Sequence, residues 1–218
     1  MPHTICENIK QIQQEINNVD LVVVSKYRSL EELQTAYKCG HRVFGENRVQ
    51  ELKDKYEKLP KDIKWHLIGH LQSNKVKYIA PFVELIQSVD SFKLLKAINR
   101  EAAKVSRTIS FLFQLHIAQE ETKFGLSAEE LREIIYSEEF KSLKNVNAVG
   151  LMGMATFSKD QNIVKKEFTS LSTIFNTYCE EHNWETLSMG MSGDFNLAIE
   201  CGSNMIRVGS KVFATEKI

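Results

Sequence analysis

Short apolar runs alternate with longer amphipathic stretches along almost the whole chain, and this alternation limits the fold more than any other feature of the sequence. The clearest run, Leu21-Val22-Val23-Val24, is uninterrupted and mainly β-branched, which is typical of a strand buried on both faces. Candidate strands begin near eight residues: Asp20, Arg42, Lys64, Val83, Ile109, Asn147, Thr186 and Asn204. Helical patterns lie between them at Leu30–Cys39, Asn47–Glu57, Ser91–Val105, Ser127–Ser137, Asn162–His182 and Asp194–Glu200. Such alternation predicts parallel strands joined by helical crossovers.

Two architectures satisfy this pattern, a doubly wound open sheet and a closed barrel, and the strand count favours the barrel. Eight units in 218 residues leave about 27 residues for each, which suits a compact barrel. We therefore predict an α/β protein made of a single (β/α)8 TIM barrel domain over residues 1–218. An extra N-terminal helix, with Ile5, Ile9, Ile12 and Ile16 on one face, precedes the first strand.

The charge balance argues against nucleic-acid and membrane-surface roles. The chain has 28 Lys and Arg residues against 28 Asp and Glu residues, so no basic excess is available to bind phosphate backbones or anionic lipid. The longest stretch without a charged residue, Asn145 to Ser158, is too short to cross a bilayer. Because residues 1–7 lack the pattern of a signal peptide, we expect a cytoplasmic protein.

The cysteine and histidine spacing argues against a metal site. The four cysteines contain no C-x-x-C pair, which argues against both a zinc site and a disulfide framework, so we expect reduced and mostly buried thiols: Cys6, Cys39, Cys179 and Cys201. His66 and His70 are four residues apart, but no further ligand residues complete a zinc motif around them. We expect both to be core or hydrogen-bonded histidines.

In a barrel of this type the functional face lies at the carboxyl ends of the strands, so the residues that follow each apolar run are the site candidates. Lys26 comes directly after the first strand, where a low-dielectric barrel mouth disfavours its charge. A lysine of this kind suits Schiff-base chemistry. The alternative is a lysine whose ammonium group extends from the strand end into solvent.

Two turns and one arginine point to an anionic or acceptor-bearing ligand. The turn Gly190–Gly193 contains Ser192, and Gly209 with Ser210 follows the last strand, which are the places where phosphate sites recur in this fold. Two ordinary tight turns are the alternative. Arg207 lies inside an apolar strand and needs an acceptor to offset its desolvation, either a ligand or a structural ion pair.

Several long segments together resemble the pyridoxal phosphate homeostasis family, whose fold is similar to the N-terminal barrel domain of alanine racemase. The resemblance runs through segments 23–26, 44–51, 65–75, 121–125, 150–154, 188–194 and 207–213. It covers nearly the whole chain in order, which makes it far more specific than any one segment. It implies pyridoxal 5′-phosphate (PLP) as the cofactor.

The resemblance also implies a role for each candidate residue. Lys26 would form the internal aldimine with PLP, while Ser192, Gly209 and Ser210 would hold its phosphate. Arg207 would face the pyridine nitrogen. The remaining residues would line the ring: Asn47, with either Met152 or Met154. From the sequence alone the two methionines, which alternate on a strand, are equally consistent with simple packing.

The chain departs from the usual family pattern near the expected pocket mouth. Tyr27-Arg28-Ser29 stands where Thr-Lys-Pro is usual, and His116 stands where Asn is usual. Ala214 replaces a common glycine and Ser210 a more usual threonine. These changes remove no cofactor anchor, but they put the shape of the pocket mouth in question.

The function implied is that of a PLP carrier or buffer that maintains intracellular vitamin B6 and amino-acid homeostasis without substantial catalysis. A PLP-dependent amino-acid racemase is the alternative, and a Schiff-base aldolase built on Lys26 is a more remote one. Racemisation needs an acid/base group on each face of the cofactor, and alanine racemases take the second, a tyrosine, from a separate domain. Arg207 would also keep the pyridine nitrogen unprotonated and weaken the electron sink. We expect a monomer that meets apo forms of PLP-dependent enzymes transiently.

Overall fold

Eight parallel strands form the centre of the part of the chain that the structure, a computed structural model, describes, namely residues 4–120 and 124–214. They are β1 (Asp20–Val24), β2 (Val43–Glu46), β3 (Lys64–Leu67), β4 (Leu85–Val89), β5 (Ile109–Leu115), β6 (Val146–Gly153), β7 (Thr186–Ser188) and β8 (Met205–Val208). Each strand pairs in parallel with the next, and β8 pairs with β1. The predicted closed barrel is confirmed, with every strand within two residues of its expected start.

Helices connect the strands and pack around the barrel. Within the described ranges they are α1 (Ile5–Ile16), α2 (Leu30–Lys38), α3 (Val49–Lys58), α4 (Phe92–Lys104), α5 (Ala128–Tyr136), α6 (Glu138–Lys141), α7 (Gln161–His182) and α8 (Phe195–Glu200). Between β3 and β4 the crossover is a 3-10 helix, Ser73–Tyr78. Of the helices described, none combines the length and apolar character needed to cross a bilayer.

Side chains that alternate between the two faces of each strand form two separate apolar regions, one inside the barrel and one between the barrel and its helices. Because successive strand residues point to opposite faces, Val22 lies inside the barrel while Val23 packs beneath the helices. The buried interior cluster consists of Val22, Leu85, Leu112, Met152 and Met205. The interior is therefore filled by side chains, and room for a ligand lies only toward its ends.

The extra N-terminal helix is present, and it packs against the segment that follows β8. Its buried face carries Ile9, Ile12 and Ile16, as the spacing predicted. The side chain of Asn8 donates hydrogen bonds to the backbone oxygens of Val212 at 3.0 Å and Ala214 at 2.9 Å. Helix α1 thus fixes the chain just beyond the last strand.

The prediction that all cysteines are free is wrong. Cys6 on α1 and Cys39 at the end of α2 form a disulfide, with a Cα–Cα distance of 5.5 Å. The packing of α1 against α2 brings them together, and nothing in their sequence spacing indicates that contact. Cys179 and Cys201 are free, and both are half-buried rather than buried.

Candidate cofactor site

A cavity of about 480 Å³ opens at the carboxyl ends of the barrel strands, within the range of about 300–1,000 Å³ that is usual for small-molecule sites. The strand ends converge on this face because all the strands run in parallel. Seven of the predicted site residues line the cavity: Lys26, Asn47, Met154, Ser192, Arg207, Gly209 and Ser210. The structure therefore brings together residues from β1 to the turn after β8.

Lys26 lies in a tight turn directly after β1, and its side chain is exposed at the rim of the cavity. The side chain is exposed rather than buried, which agrees with the alternative of a lysine that reaches solvent from the strand end. The turn forms because Tyr27 takes a left-handed conformation, with φ of 61°. Tyr27 is 72% exposed and does not line the cavity.

A buried ionic network holds this turn in place. The Lys55 ammonium donates to the backbone oxygen of Ser25 at 2.7 Å and to one oxygen of Glu46 at 2.6 Å. It also donates to Glu51 at 2.8 Å, and the same Glu51 oxygen accepts the backbone N–H of Tyr27 at 2.8 Å. Both sides of the cavity lysine are thereby tied to helix α3.

The Glu46 carboxylate is fully buried and depends on Lys55 for charge compensation. Burial raises the pKa of Glu46, whereas its hydrogen bonds to Lys55 and Ser25 act in the opposite direction. The second carboxylate oxygen of Glu46 has no hydrogen-bond partner. Removal of the cation would leave a buried and unpaired charge.

We therefore expect Lys55→Met to lower the free energy of unfolding by about 3–5 kcal/mol, the usual cost of breaking a buried ion pair from one side. Urea unfolding followed by circular dichroism measures this loss. Lys53→Met is the matched control, because Lys53 lies on the same helix in an exposed pair with Glu57 and should cost no more than about 0.5 kcal/mol. Equal unfolding midpoints for the two variants would contradict the assignment.

Arg207 is buried at the inner wall of the cavity and is only 3% exposed. Its guanidinium donates to the hydroxyl of Ser188 at 2.5 Å and to the backbone oxygen of Gly153 at 2.9 Å. Burial lowers the pKa of Arg207 to about 10, while the negative charge of Asp194 on the cavity wall opposes that shift. Arg207 is thus a cation at neutral pH.

The turns after β7 and β8 meet at one side of the cavity. The Ser192 hydroxyl accepts the backbone N–H of Gly209 at 3.3 Å, so a hydroxyl and a peptide N–H lie side by side. A Cβ atom at Gly209 would lie 3.0 Å from the backbone oxygen of Val24, which shows how closely the ends of β8 and β1 approach. Ser210 adds a second hydroxyl at the exposed rim. This arrangement of donors suits a phosphate group.

The residues predicted to line the cofactor ring lie at two different depths in the barrel. Asn47, half-buried after β2, and Met154, half-buried after β6, both line the cavity. Met152 faces the same way but lies one layer deeper, in the fully buried interior cluster. Met154, rather than Met152, is therefore the methionine that can contact a bound ring.

Of the departures from the family pattern, Ser210 lines the cavity, whereas Tyr27, Arg28, Ser29, His116 and Ala214 lie outside its lining. Arg28 pairs with Glu32 at 3.2 Å and lies 4.9 Å from the centre of the Phe213 ring. His116 contacts the backbone oxygen of Glu120 at 2.9 Å. Ser210 is therefore the one departure that contributes to the cavity lining.

Sequence reasoning missed two kinds of residue. The first is the loop after β6, where Thr156, Phe157 and Ser158 line the cavity; their position a few residues beyond a strand end was the available signal. The second is a pair of fully buried polar residues, Gln87 in β4 and Ser188 in β7. An uncharged polar side chain inside an apolar strand was the signal for these.

The two histidines do not converge on a common ligand. His66 lies inside the barrel, where its Nδ1 accepts the side-chain N–H of Gln87 at 3.0 Å. His70 pairs with Asp90 at 2.8 Å and stacks on Phe124 with 4.1 Å between ring centres. Both are hydrogen-bonded, as predicted. The described residues contain no group of three or more His, Cys, Asp or Glu side chains that could hold a metal ion.

The donors around the cavity match three of the polar groups of PLP, namely the aldehyde, the pyridine nitrogen and the phosphate. Lys26 offers a primary amine at the rim, and Arg207 offers a guanidinium at the inner wall. Ser192 and Gly209 offer a hydroxyl and a close backbone approach. The residues present therefore fit this cofactor.

Comparison with known proteins agrees with this chemistry. The family described as alanine racemase, N-terminal domain, matches residues 2–216. The pyridoxal phosphate homeostasis protein of Helicobacter pylori is 39% identical over 199 residues, covering 89% of this chain and 87% of that protein. PipY of Synechococcus elongatus, solved with PLP bound, is 31% identical with a TM-score of 0.88, covering 97% of this chain and 100% of PipY.

A more distant likeness concerns the fold alone. An alanine racemase from Clostridium difficile is 13% identical with a TM-score of 0.77, and this chain covers 56% of its length. The closed barrel is thus shared with the racemases, whereas the full-length relatives carry the homeostasis name. On these grounds the chain belongs to the pyridoxal phosphate homeostasis protein family, with the barrel fold of the alanine racemase N-terminal domain.

Proposed function

We propose that this protein binds PLP in the cavity at the carboxyl ends of its strands, and that it carries or buffers the cofactor and so maintains vitamin B6 and amino-acid homeostasis. The observation that carries this proposal is the meeting of Lys26, Arg207 and the Ser192–Gly209 pair around one cavity of suitable size. The PLP-bound structure of the relative PipY and the name of the Helicobacter pylori relative support it.

In this proposal Lys26 is the attachment point. When bound, PLP supplies an aldehyde that condenses reversibly with a primary amine. The Lys26 amine is exposed at the rim, so it is accessible to a cofactor that enters from solvent. The network centred on Lys55 holds the peptide on both sides of Lys26, which limits the positions that the amine can reach.

Arg207 sets the electronic character of the site. A guanidinium with a pKa of about 10 stays protonated at neutral pH, so it donates a hydrogen bond to an acceptor nitrogen and does not transfer its proton. Facing the pyridine nitrogen, it would keep that nitrogen unprotonated and restrict carbanion chemistry. This favours a carrier over an enzyme.

The direct test is to titrate the purified protein with PLP, reduce it with borohydride and measure the intact mass. We expect the mass to increase by one pyridoxyl phosphate group. Pyridoxine 5′-phosphate, which has an alcohol in place of the aldehyde, should bind without any increase in mass after reduction. An unchanged mass with PLP would refute the proposal.

We also expect no racemisation of alanine, serine or other common amino acids at enzyme-like rates, which are typically about 1–1,000 per second. The guanidinium opposite the pyridine nitrogen weakens the electron sink that proton removal at the α-carbon requires. A chiral assay of the PLP-loaded protein measures this. Turnover of several per second that disappears in Lys26→Ala would establish the racemase alternative instead.

The same proposal covers the extent of the domain, its location, its oligomeric state and its partners. We infer one PLP-binding domain over residues 1–218 that acts as a cytoplasmic monomer and meets apo-enzymes only transiently. The exposed position of Lys26 supports direct transfer, because a partner can approach the attachment point from solvent. Light scattering tests the monomer, and recovery of activity by an apo-enzyme mixed with the loaded protein tests the transfer.

A further inference from the structure

A chain of side-chain hydrogen bonds leads from Arg207 into the barrel interior. The Arg207 guanidinium donates to the Ser188 hydroxyl at 2.5 Å, and that hydroxyl donates to the Gln87 side-chain oxygen at 2.7 Å. The Gln87 amide nitrogen then donates to Nδ1 of His66 at 3.0 Å. Four strands, β8, β7, β4 and β3, each contribute one residue, so the chain crosses the barrel.

The direction of every bond in this chain is fixed by chemistry. A guanidinium only donates, so the single hydroxyl proton of Ser188 must go to an acceptor, which is the Gln87 oxygen. The Gln87 amide nitrogen is then left to donate, and Nδ1 of His66 must accept. Burial lowers the pKa of His66 to about 3, which keeps the imidazole neutral and able to accept.

The chain is also deeply buried, which makes an alternative arrangement costly. Gln87 and Ser188 are completely buried, and Arg207 and His66 are 3% and 5% exposed. If one of these bonds were broken, the groups involved would lose their partners with no water to replace them. The hydrogen bond to the Gly153 oxygen would then hold a single nitrogen of the guanidinium. The charge of Asp194 attracts the whole group and fixes no single orientation of it.

We propose that Ser188 and Gln87 are positioning residues that fix the orientation of the Arg207 guanidinium toward the cofactor. They act from the side of the arginine that faces away from the cavity. This inference rests on the proposed PLP-binding function. Neither residue lines the cavity, so neither contacts a bound ligand directly. Their influence on the cofactor must pass through Arg207.

The test uses Ser188→Ala and Gln87→Met, which keep the approximate shape of each side chain but remove the hydrogen bonds. We expect PLP to bind about ten- to a hundredfold more weakly to Ser188→Ala, the factor that corresponds to loss of a hydrogen bond to a charged group. Gln87→Met loses a neutral hydrogen bond to Ser188 and should weaken binding less, by about three- to tenfold. We also expect the visible absorbance maximum of bound PLP to shift. Ser188→Thr retains the hydroxyl and should restore both values.

Ser203→Ala is the matched control. Ser203 is also buried, 4% exposed against 0% for Ser188 in β7, but the partners of its hydroxyl are all backbone groups. It accepts the N–H of Met189, and its single proton lies within reach of three backbone oxygens. Its loss should lower stability without moving the absorbance maximum. A spectral change of equal size in Ser203→Ala would mean that general loosening of the barrel, and not the hydrogen-bond chain, is responsible.

A second measurement separates this inference from the function on which it rests. In the ligand-free protein, ¹⁵N NMR of the Arg207 guanidinium should show protected N–H groups in wild type and rapid exchange in Ser188→Ala. Wild-type affinity and spectrum in both Ser188→Ala and Gln87→Met would overturn the positioning role. A wild type that shows the protected guanidinium but binds no PLP would overturn the proposed function and, with it, the role toward the cofactor.

Discussion

Replacing Lys26 with Ala should abolish covalent attachment of PLP while leaving the fold intact. The side chain is exposed in a turn that backbone contacts at Ser25 and Tyr27 hold in place, so its removal should cost no more than about 0.5 kcal/mol of stability. The loss of attachment should be complete, because the amine is the reacting group. Visible absorbance and the mass after borohydride reduction both measure this.

Lys211→Ala is the appropriate comparison. Lys211 lies in the segment after β8, close to the cavity, with its ammonium group 4.7 Å from the centre of the Phe195 ring. This variant should still attach one cofactor. A Lys26→Ala protein that remains yellow and reducible would show that another lysine is the attachment point.

Replacing Gly209 with Val should weaken PLP binding by about a hundredfold or more, through the loss of charge-assisted hydrogen bonds to the phosphate. The first side-chain atom would lie 3.0 Å from the Val24 oxygen, so β8 and β1 would have to separate or the turn would have to move. Either change displaces the N–H that lies beside Ser192. Fluorescence titration with PLP measures the affinity.

Two comparisons make this result specific to the phosphate. Pyridoxal, which lacks the phosphate, should bind wild type about as weakly as PLP binds the Gly209→Val variant. Pyridoxal should bind the Gly209→Val variant about as well as it binds wild type, because it has no phosphate contacts to lose. Equal affinity of wild type for PLP and pyridoxal would contradict a phosphate site at these turns.

Much of the fold and the site could be predicted because some patterns depend only on local sequence. The run from Leu21 to Val24 could be assigned to a buried strand from its composition alone. Arg207 stood out because a charge inside an apolar strand always requires an explanation. The turns at Ser192 and Gly209 followed from their positions after the last two strands.

Other features depend on distances between elements and could not be predicted. Alternation assigned Met152 and Met154 to one face of β6, but the depth of each in the barrel is a property of the closed structure. The exposure of Lys26 follows from the left-handed turn at Tyr27, which a tyrosine does not signal. The pairing of Gln87 with Ser188 joins strands that are not neighbours in the barrel.

The proposed site straddles the line along which the first and last strands of the barrel meet. Val22 lies opposite Arg207 in the β1–β8 pairing, so the proposed attachment point, Lys26, and the arginine come from distant parts of the sequence. While the ribosome is still making this protein, no site exists until β8 has emerged and paired with β1. A nascent chain that still lacks β8 also lacks Arg207 and the turn at Gly209, so it should bind PLP far more weakly than the complete barrel. Because only the closed barrel binds the cofactor, PLP should stabilise that closure by mass action and slow the escape of β8.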